Sequence, residues 1–141
     1  MHEVGGGCHC GNIRLELALS QAPLNYAPRA CDCDFCRKHA AAYVSDPAGA
    51  LTIHIRDAKL TSRYQQGSTQ AEFLLCCRCG VLTAVLYEGA GRRYAAVNAR
   101  AVDDAAFGPE QAVSPKILAP EAKSERWRAV WFQDVSVIMG D

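Results

Sequence analysis

GGGCHCGNIRLELAL, residues 5–19, sets a C-x-C pair directly before a run of alternating character. Ile13, Leu15, Leu17 and Leu19 alternate with Arg14, Glu16, Ala18 and Ser20, the period of a strand with one buried face. Leu51, Ile53 and Ile55 repeat the pattern. Two hairpins are expected further on. In the first, KLTSRY and AEFLL flank the turn-forming QGSTQ across residues 59–75. In the second, VLTAVLYE and RYAAVNARAV flank Gly89-Ala90-Gly91. Pro120 and Glu121 open a short C-terminal helix in which Trp127, Val130 and Trp131 share a face, and a strand follows from about Val135. The stretch from Asp103 to Pro120 carries three prolines and reads as irregular. A mainly β chain forming a single domain over residues 1–141 is the expectation.

A chain of 141 residues can bury a core without covalent staples. Fifteen basic residues balance fifteen acidic ones with no long run of either sign, which disfavours nucleic acid as a partner. No apolar run approaches the roughly 18 residues of a membrane span, and MHEVGGGCHC has none of the regions of a secretory signal. The expected location is the cytoplasm. There, eight cysteines are better suited to metal than to disulfides.

The cysteines fall into three groups: Cys8 and Cys10; Cys31, Cys33 and Cys36 in CDCDFC; and Cys76, Cys77 and Cys79 in CCRCG. Tetrahedral zinc with bonds of about 2.3 Å sets its sulfurs roughly 3.8 Å apart. A C-x-C pair on extended backbone and a C-x-x-C turn each bring two sulfurs to that spacing, and Gly80 suits the turn by tolerating positive φ. Cys8, Cys10, Cys76 and Cys79 would close one four-ligand site. Cys77-Arg78-Cys79 is itself a C-x-C, so Cys77 stands as the alternative to Cys76, with C-x-x-C-G favouring Cys76. The middle group offers three sulfurs, and zinc on three protein ligands keeps a position for water or substrate. A disulfide framework, a thioredoxin-like couple and an iron–sulfur cluster fit less well: the compartment opposes the first, the extra upstream cysteine the second, and the want of a fourth sulfur the third.

GGGCHCGNIRLE, CDCDFCRKH, FLLCCRCG and VNARAVDD, in this order and spacing, resemble the glutathione-dependent formaldehyde-activating enzyme family from about Gly6 to Asp104. The resemblance implies a β-tent fold and two zinc ions per chain: a structural one on Cys8, Cys10, Cys76 and Cys79, and a catalytic one on Cys31, Cys33 and Cys36. The implied activity is a carbon–sulfur lyase reaction joining glutathione and formaldehyde as S-hydroxymethylglutathione. The chain departs from the family where Arg37, Lys38, His39 and three alanines follow Cys36, and at Ala101, where many relatives carry a cysteine.

Three thiolates leave bound Zn²⁺ with a net charge of about minus one, which blunts its Lewis acidity and suits capture of a soft substrate thiol, or of a small aldehyde by its oxygen. Arg37 and Lys38 are the candidates to offset that charge or hold a carboxylate of a glutathione-like substrate. Asp32 and Asp34 are expected to point away from the metal. His9 and His54 are expected to face away from any site, His39 to lie at the surface, with a proton shuttle or a fourth ligand as its alternative, and Trp127 and Trp131 to anchor the C-terminal segment in the core, with lining the substrate pocket as theirs. The competing functions are a non-catalytic zinc module binding a protein or small thiol, and methionine sulfoxide reduction. The latter lacks a nucleophile, since no cysteine follows Cys79 and position 95 in RRYAAVN is alanine. The related centromere protein V carries a basic extension that has no counterpart in this sequence.

Overall fold

The computed structural model describes residues 1–140. One sheet has four strands, β1 (His2–Gly7), β2 (Ile13–Leu19), β5 (Ala50–Ile55) and β11 (Asp134–Met139), in the order β1-β2-β5-β11. The other has seven, in the order β10 (Gln111–Val113), β3 (Arg29–Cys31), β4 (Ala42–Val44), β9 (Arg92–Asn98), β8 (Leu82–Gly89), β7 (Ala71–Cys76) and β6 (Thr61–Tyr64). Pairing is antiparallel except between β5 and β11 and between β3 and β10. Two helices complete the fold, α1 (Asp34–His39) and α2 (Pro120–Val130). No helix among the described residues is long and apolar enough to cross a membrane.

The expected strands, hairpins and helix are present, β3, β4 and α1 are additional elements not expected from the sequence, and three further differences stand out. The strand containing RYAAVN ends at Asn98, whose side chain accepts from the Arg100 N–H and turns the chain into a 3-10 turn at Ala99–Ala101. The stretch after Asp103 contains β10 and a second 3-10 turn at Pro115–Ile117. The triple-glycine segment is itself strand β1. Between β8 and β9, Ala90 and Gly91 both have positive φ, 54° and 72°, as a two-residue turn of the hairpin-favouring hand requires.

The alternation read in β2 and β5 builds the core between the sheets. Leu15, Leu17, Leu51 and Ile53 are almost wholly buried against Leu74, Leu86, Val97 and Phe132. Each such side chain contributes about 1.5–3 kcal/mol. The opposite face of the seven-stranded sheet carries a second apolar layer with Phe73, Val85, Tyr94 and Trp131. A bulge re-aims β8 between these layers: Leu74 pairs with Ala84 and Leu75 with Leu82, leaving Thr83 as the extra residue. Its hydroxyl, fully buried, donates to the Leu74 carbonyl at 2.9 Å. Beyond the bulge, Leu82 and Val85 both join the outer layer while Ala84 stays in the inner core.

Backbone contact at one edge explains the middle glycine of β1, Gly6. Gly6 pairs with Val102, Asp103 N–H donates to the Gly5 carbonyl at 3.0 Å, and the Gly5 N–H donates to Asp104 Oδ1 at 2.7 Å. A Cβ on Gly6 would lie 2.0 Å from the Ala101 carbonyl oxygen, which is backbone and cannot swing aside. Gly6→Ala is therefore expected to cost about 2 kcal/mol or more of folding stability, read from urea denaturation.

Asp46 fastens the chain between β4 and β5 to the end of β2. Its carboxylate accepts from Ser20 N–H at 2.8 Å, Ser20 Oγ at 2.6 Å, Tyr26 Oη at 2.6 Å and Ala48 N–H at 2.9 Å. Burial alone would raise this carboxyl, but the donors of Ser20 and Tyr26 outweigh it and hold the group below the usual carboxylate range. A depressed carboxyl stabilises the fold above the unfolded-state pKa, and that contribution is lost as pH falls through the folded-state value. Asp46→Asn is expected to cost about 2 kcal/mol near pH 7. In urea titrations at several pH values, the gap between parent and variant should begin to close below about pH 4.

Candidate metal centres and the adjoining cavity

The turn after β1 holds Cys8 and Cys10, and the turn after β7 holds Cys76 and Cys79. Local hydrogen bonding shapes each one: Cys8 N–H donates to the Ile13 carbonyl at 2.9 Å, and Gly80 N–H to the Cys76 carbonyl at 2.8 Å. Gly11 and Gly80, at φ 87° and 82°, adopt the left-handed backbone that carries each chain around its sulfurs. Ile13 N–H and Cys79 N–H point at Cys8 Sγ and Cys76 Sγ, at 3.2 and 3.5 Å. The four sulfurs lie within 4.8 Å of one another, with Cys8–Cys10 at 3.7 Å and Cys10–Cys76 at 3.5 Å. These spacings approach the roughly 3.8 Å edge of a tetrahedral zinc–thiolate site. It is Cys76 that joins the group, while Cys77 is exposed and donates its N–H outward to the Leu60 carbonyl at 2.7 Å.

Cys31, Cys33 and Cys36 form the second convergent group. Cys31 ends β3, Cys33 caps the N-terminus of α1 by accepting from the Cys36 N–H, and Cys36 lies buried in the first helical turn. Among the described residues, no further His, Cys, Asp or Glu joins the group. Tyr43 of β4 places its hydroxyl 3.1 Å from Cys36 Sγ. The hydrogen bond with Cys36 lowers Cys31 to about 6 and raises Cys36, whereas burial above all raises Tyr43. In the four-sulfur group, burial lifts Cys76 to about 11. The N–H groups of Cys10 and Val81 overcome burial at Cys79 and bring it down to about 6. Each cluster thus accommodates negative sulfur, and both donor sets could hold a soft or borderline metal ion.

The three sulfurs open onto a cavity of about 390 Å³ on the outer face of the seven-stranded sheet. Its walls come from that sheet, from α2, from the 113–118 segment and from the 66–68 loop. Arg29, Lys116, Lys123 and Arg126 line it, and no carboxylate does. Arg29 donates to Ser45 Oγ at 2.7 Å, and Ser45 in turn donates to the Val130 carbonyl at 2.7 Å, so the last turn of α2 helps hold the guanidinium. Burial and then the neighbouring Arg126 charge lower Arg29 to about 10.

The structure does not bring Arg37 and Lys38 to this cavity. Both are exposed on α1, since anchoring Cys36 inward rotates the next two positions of the helix outward. The cations at the cavity come instead from β3, α2 and the segment before it, elements the local motif around CDCDFC could not reveal. Asp34 is exposed and Asp32 lies 3.9 Å from Lys116 Nζ, and neither lines the cavity. His39 packs against the Phe35 ring, His9 is exposed, and His54 faces Glu16 across the outer surface of the four-stranded sheet. Trp127 and Trp131 stack at 4.9 Å and do pack against the outer apolar layer, but they also line the cavity. Tyr43 and Arg29 escaped sequence reasoning because neither lies in a cysteine motif; an arginine two residues before Cys31 on extended backbone was the one available signal.

Comparison with solved structures finds similarity to the crystal structure of a Rhodobacter sphaeroides protein, at 27% identity and a TM-score of 0.57, covering 72% of this chain and 90% of that one. The family model described as "Glutathione-dependent formaldehyde-activating enzyme" matches residues 3–122. That match takes in all eight cysteines and runs into the first turn of α2, and the chain belongs to the glutathione-dependent formaldehyde-activating enzyme family.

Proposed function

We propose that the protein is a zinc-dependent carbon–sulfur lyase that joins, or in reverse releases, a glutathione-like thiol and a small aldehyde at Cys31, Cys33 and Cys36. The supporting observation is the gathering of three sulfurs, without a fourth protein ligand among the described residues, at the wall of a cation-lined cavity. The reaction is an addition: the thiol sulfur bonds to the carbonyl carbon, the carbonyl π bond opens, and the thiol proton ends on the former carbonyl oxygen. Nothing is oxidised and no group leaves.

Zinc on three cysteines supplies, when bound, a position that stabilises a substrate thiolate or polarises a carbonyl oxygen. The chain's own residues do the rest. Cys31, Cys33 and Cys36 hold the ion, with Cys36 oriented by the Tyr43 hydroxyl. Arg29, Lys116, Lys123 and Arg126 attract the substrate's carboxylates, the role first assigned to Arg37 and Lys38. The indoles and the neighbouring apolar side chains exclude water, so that thiol and aldehyde meet at high effective concentration. Cys8, Cys10, Cys76 and Cys79 hold a second, structural zinc that fastens the two turns. A reducing compartment such as the cytoplasm would keep all eight thiols available.

Cys33→Ser is expected to lower bound zinc from roughly two ions per chain to one, and to return thiol–aldehyde exchange, followed by NMR exchange spectroscopy, to the spontaneous rate. Full zinc and full turnover in the variant would reject the assignment. At the other cluster, Cys76→Ser should lose the structural ion and unfold at lower temperature, whereas Cys77→Ser should keep its metal and its melting temperature. Metal analysis paired with thermal denaturation reads both.

A further inference from the structure

The cavity is larger, and more apolar beside the sulfurs, than a one-carbon aldehyde requires. Its volume of about 390 Å³ lies in the range of sites for drug-sized ligands. Phe73, Val85 and Trp131, each less than a tenth exposed, belong to the same packed layer as Cys36, with Cys31 and Cys33 against it. Trp127 and Val130 of α2 extend this layer along the cavity. Apart from the Tyr43 hydroxyl at Cys36 and the Gln66 amide 3.8 Å from Cys33 Sγ, the surface beside the sulfurs is hydrocarbon and indole. A hydroxymethyl group would leave most of it uncovered, and a polar peptide laid against it would lose hydration without gaining partners.

Charge enters the same cavity from two elements. Arg29 lies two residues before Cys31 on β3, so both side chains leave the same face of the strand. Arg126 lies one helical turn before Val130 and so shares its face of α2. Neither guanidinium has a carboxylate partner among the described residues, and no acid lines the cavity to receive an ammonium group. Two like charges converging without a counter-anion favour an anionic ligand.

Resting on the proposed activity, we infer that the adduct this site handles combines a carboxylate-bearing thiol, held by Arg29 and Arg126, with an apolar aldehyde of aromatic size seated on Phe73, Val85, Trp127 and Trp131. The bond made and broken is still the carbon–sulfur bond of a hemithioacetal, with the thiol proton passing to the carbonyl oxygen.

The test separates ligand class from catalysis by using thioethers, which contain the finished carbon–sulfur bond and cannot react. The two tryptophans of the chain both line the cavity, so intrinsic fluorescence reports from this site alone. With zinc-loaded protein, 3-(benzylthio)propanoate should bind at least tenfold tighter than 3-(methylthio)propanoate. Arg126→Gln, an exposed position, should weaken both several-fold and leave their ratio unchanged. Trp127→Leu, which keeps an apolar side chain, should shrink the ratio at least threefold. Equal affinities for the two thioethers, or a ratio indifferent to Trp127→Leu, would overturn the inference. In parallel, exchange of 3-mercaptopropanoate should be accelerated more with benzaldehyde than with formaldehyde, and a preference for formaldehyde would also count against it. Failure of every thiol–aldehyde pair to be accelerated would count against the lyase activity, and the thioether affinities would still decide the ligand class.

Discussion

Four sulfurs drawn from turns nearly seventy residues apart, two of them 3.5 Å from each other, are the arrangement on which the rest of this fold hangs. Thiols attract one another weakly. Two thiolates at that distance repel by about 5 kcal/mol even at an effective dielectric constant near 20. Convergence of this kind is favourable when a cation takes up the charge, and the donor set is the one zinc favours. Because one pair of sulfurs belongs to the four-stranded sheet and the other to the seven-stranded sheet, the cluster fastens the sheets at the end where β1 passes into β2 and β7 into β8. The same clasp lies close to the bulge at Thr83, so the chain leaves the knuckle already committed to presenting Leu82 and Val85 outward.

How much of this was legible depended on the length of the signal. β2 and β5 run for seven and six residues, enough alternations to reveal a period of two, whereas β8 and β9 show none and were legible from the glycine turn between them. β3, β4 and β10 have three residues each, which no periodicity can define, and they are strands because neighbours in the sheet satisfy their backbone groups. β1 was hidden by its glycines, which disfavour strands, although Gly6 is required where the backbone meets Ala101 and Val102. Helix α1 did leave a trace, with Asp34 at its start and Arg37, Lys38 and His39 at its end, but the cysteines drew the reading toward a metal-binding turn. That reading grouped the sulfurs that the structure brings together, and it placed beside them two residues that the structure leaves outside the cavity. Nearness in sequence to CDCDFC suggested Arg37 and Lys38 for substrate contact, whereas the helical rotation of about 100° per residue turns them away from a face fixed by Cys33 and Cys36.

The residues that surround the three sulfurs come from a different source than the sulfurs themselves. Cys31, Cys33 and Cys36 are set by β3 and the first turn of α1, both seated on the seven-stranded sheet. The indoles, Arg126 and Lys123 come from α2, and Lys116 and Leu118 from the segment before it. Arg29 joins the two sources, since Ser45 bonds it to the Val130 carbonyl at the end of α2. A change in α2 can therefore alter what fits beside the sulfurs while the metal ligands stay where the sheet holds them. The coupling through Ser45 limits this freedom: a displacement of the last helical turn would move the Arg29 guanidinium along with the indole wall. The three sulfurs and the wall of indoles are carried by different elements, and they are joined through a single buried hydroxyl.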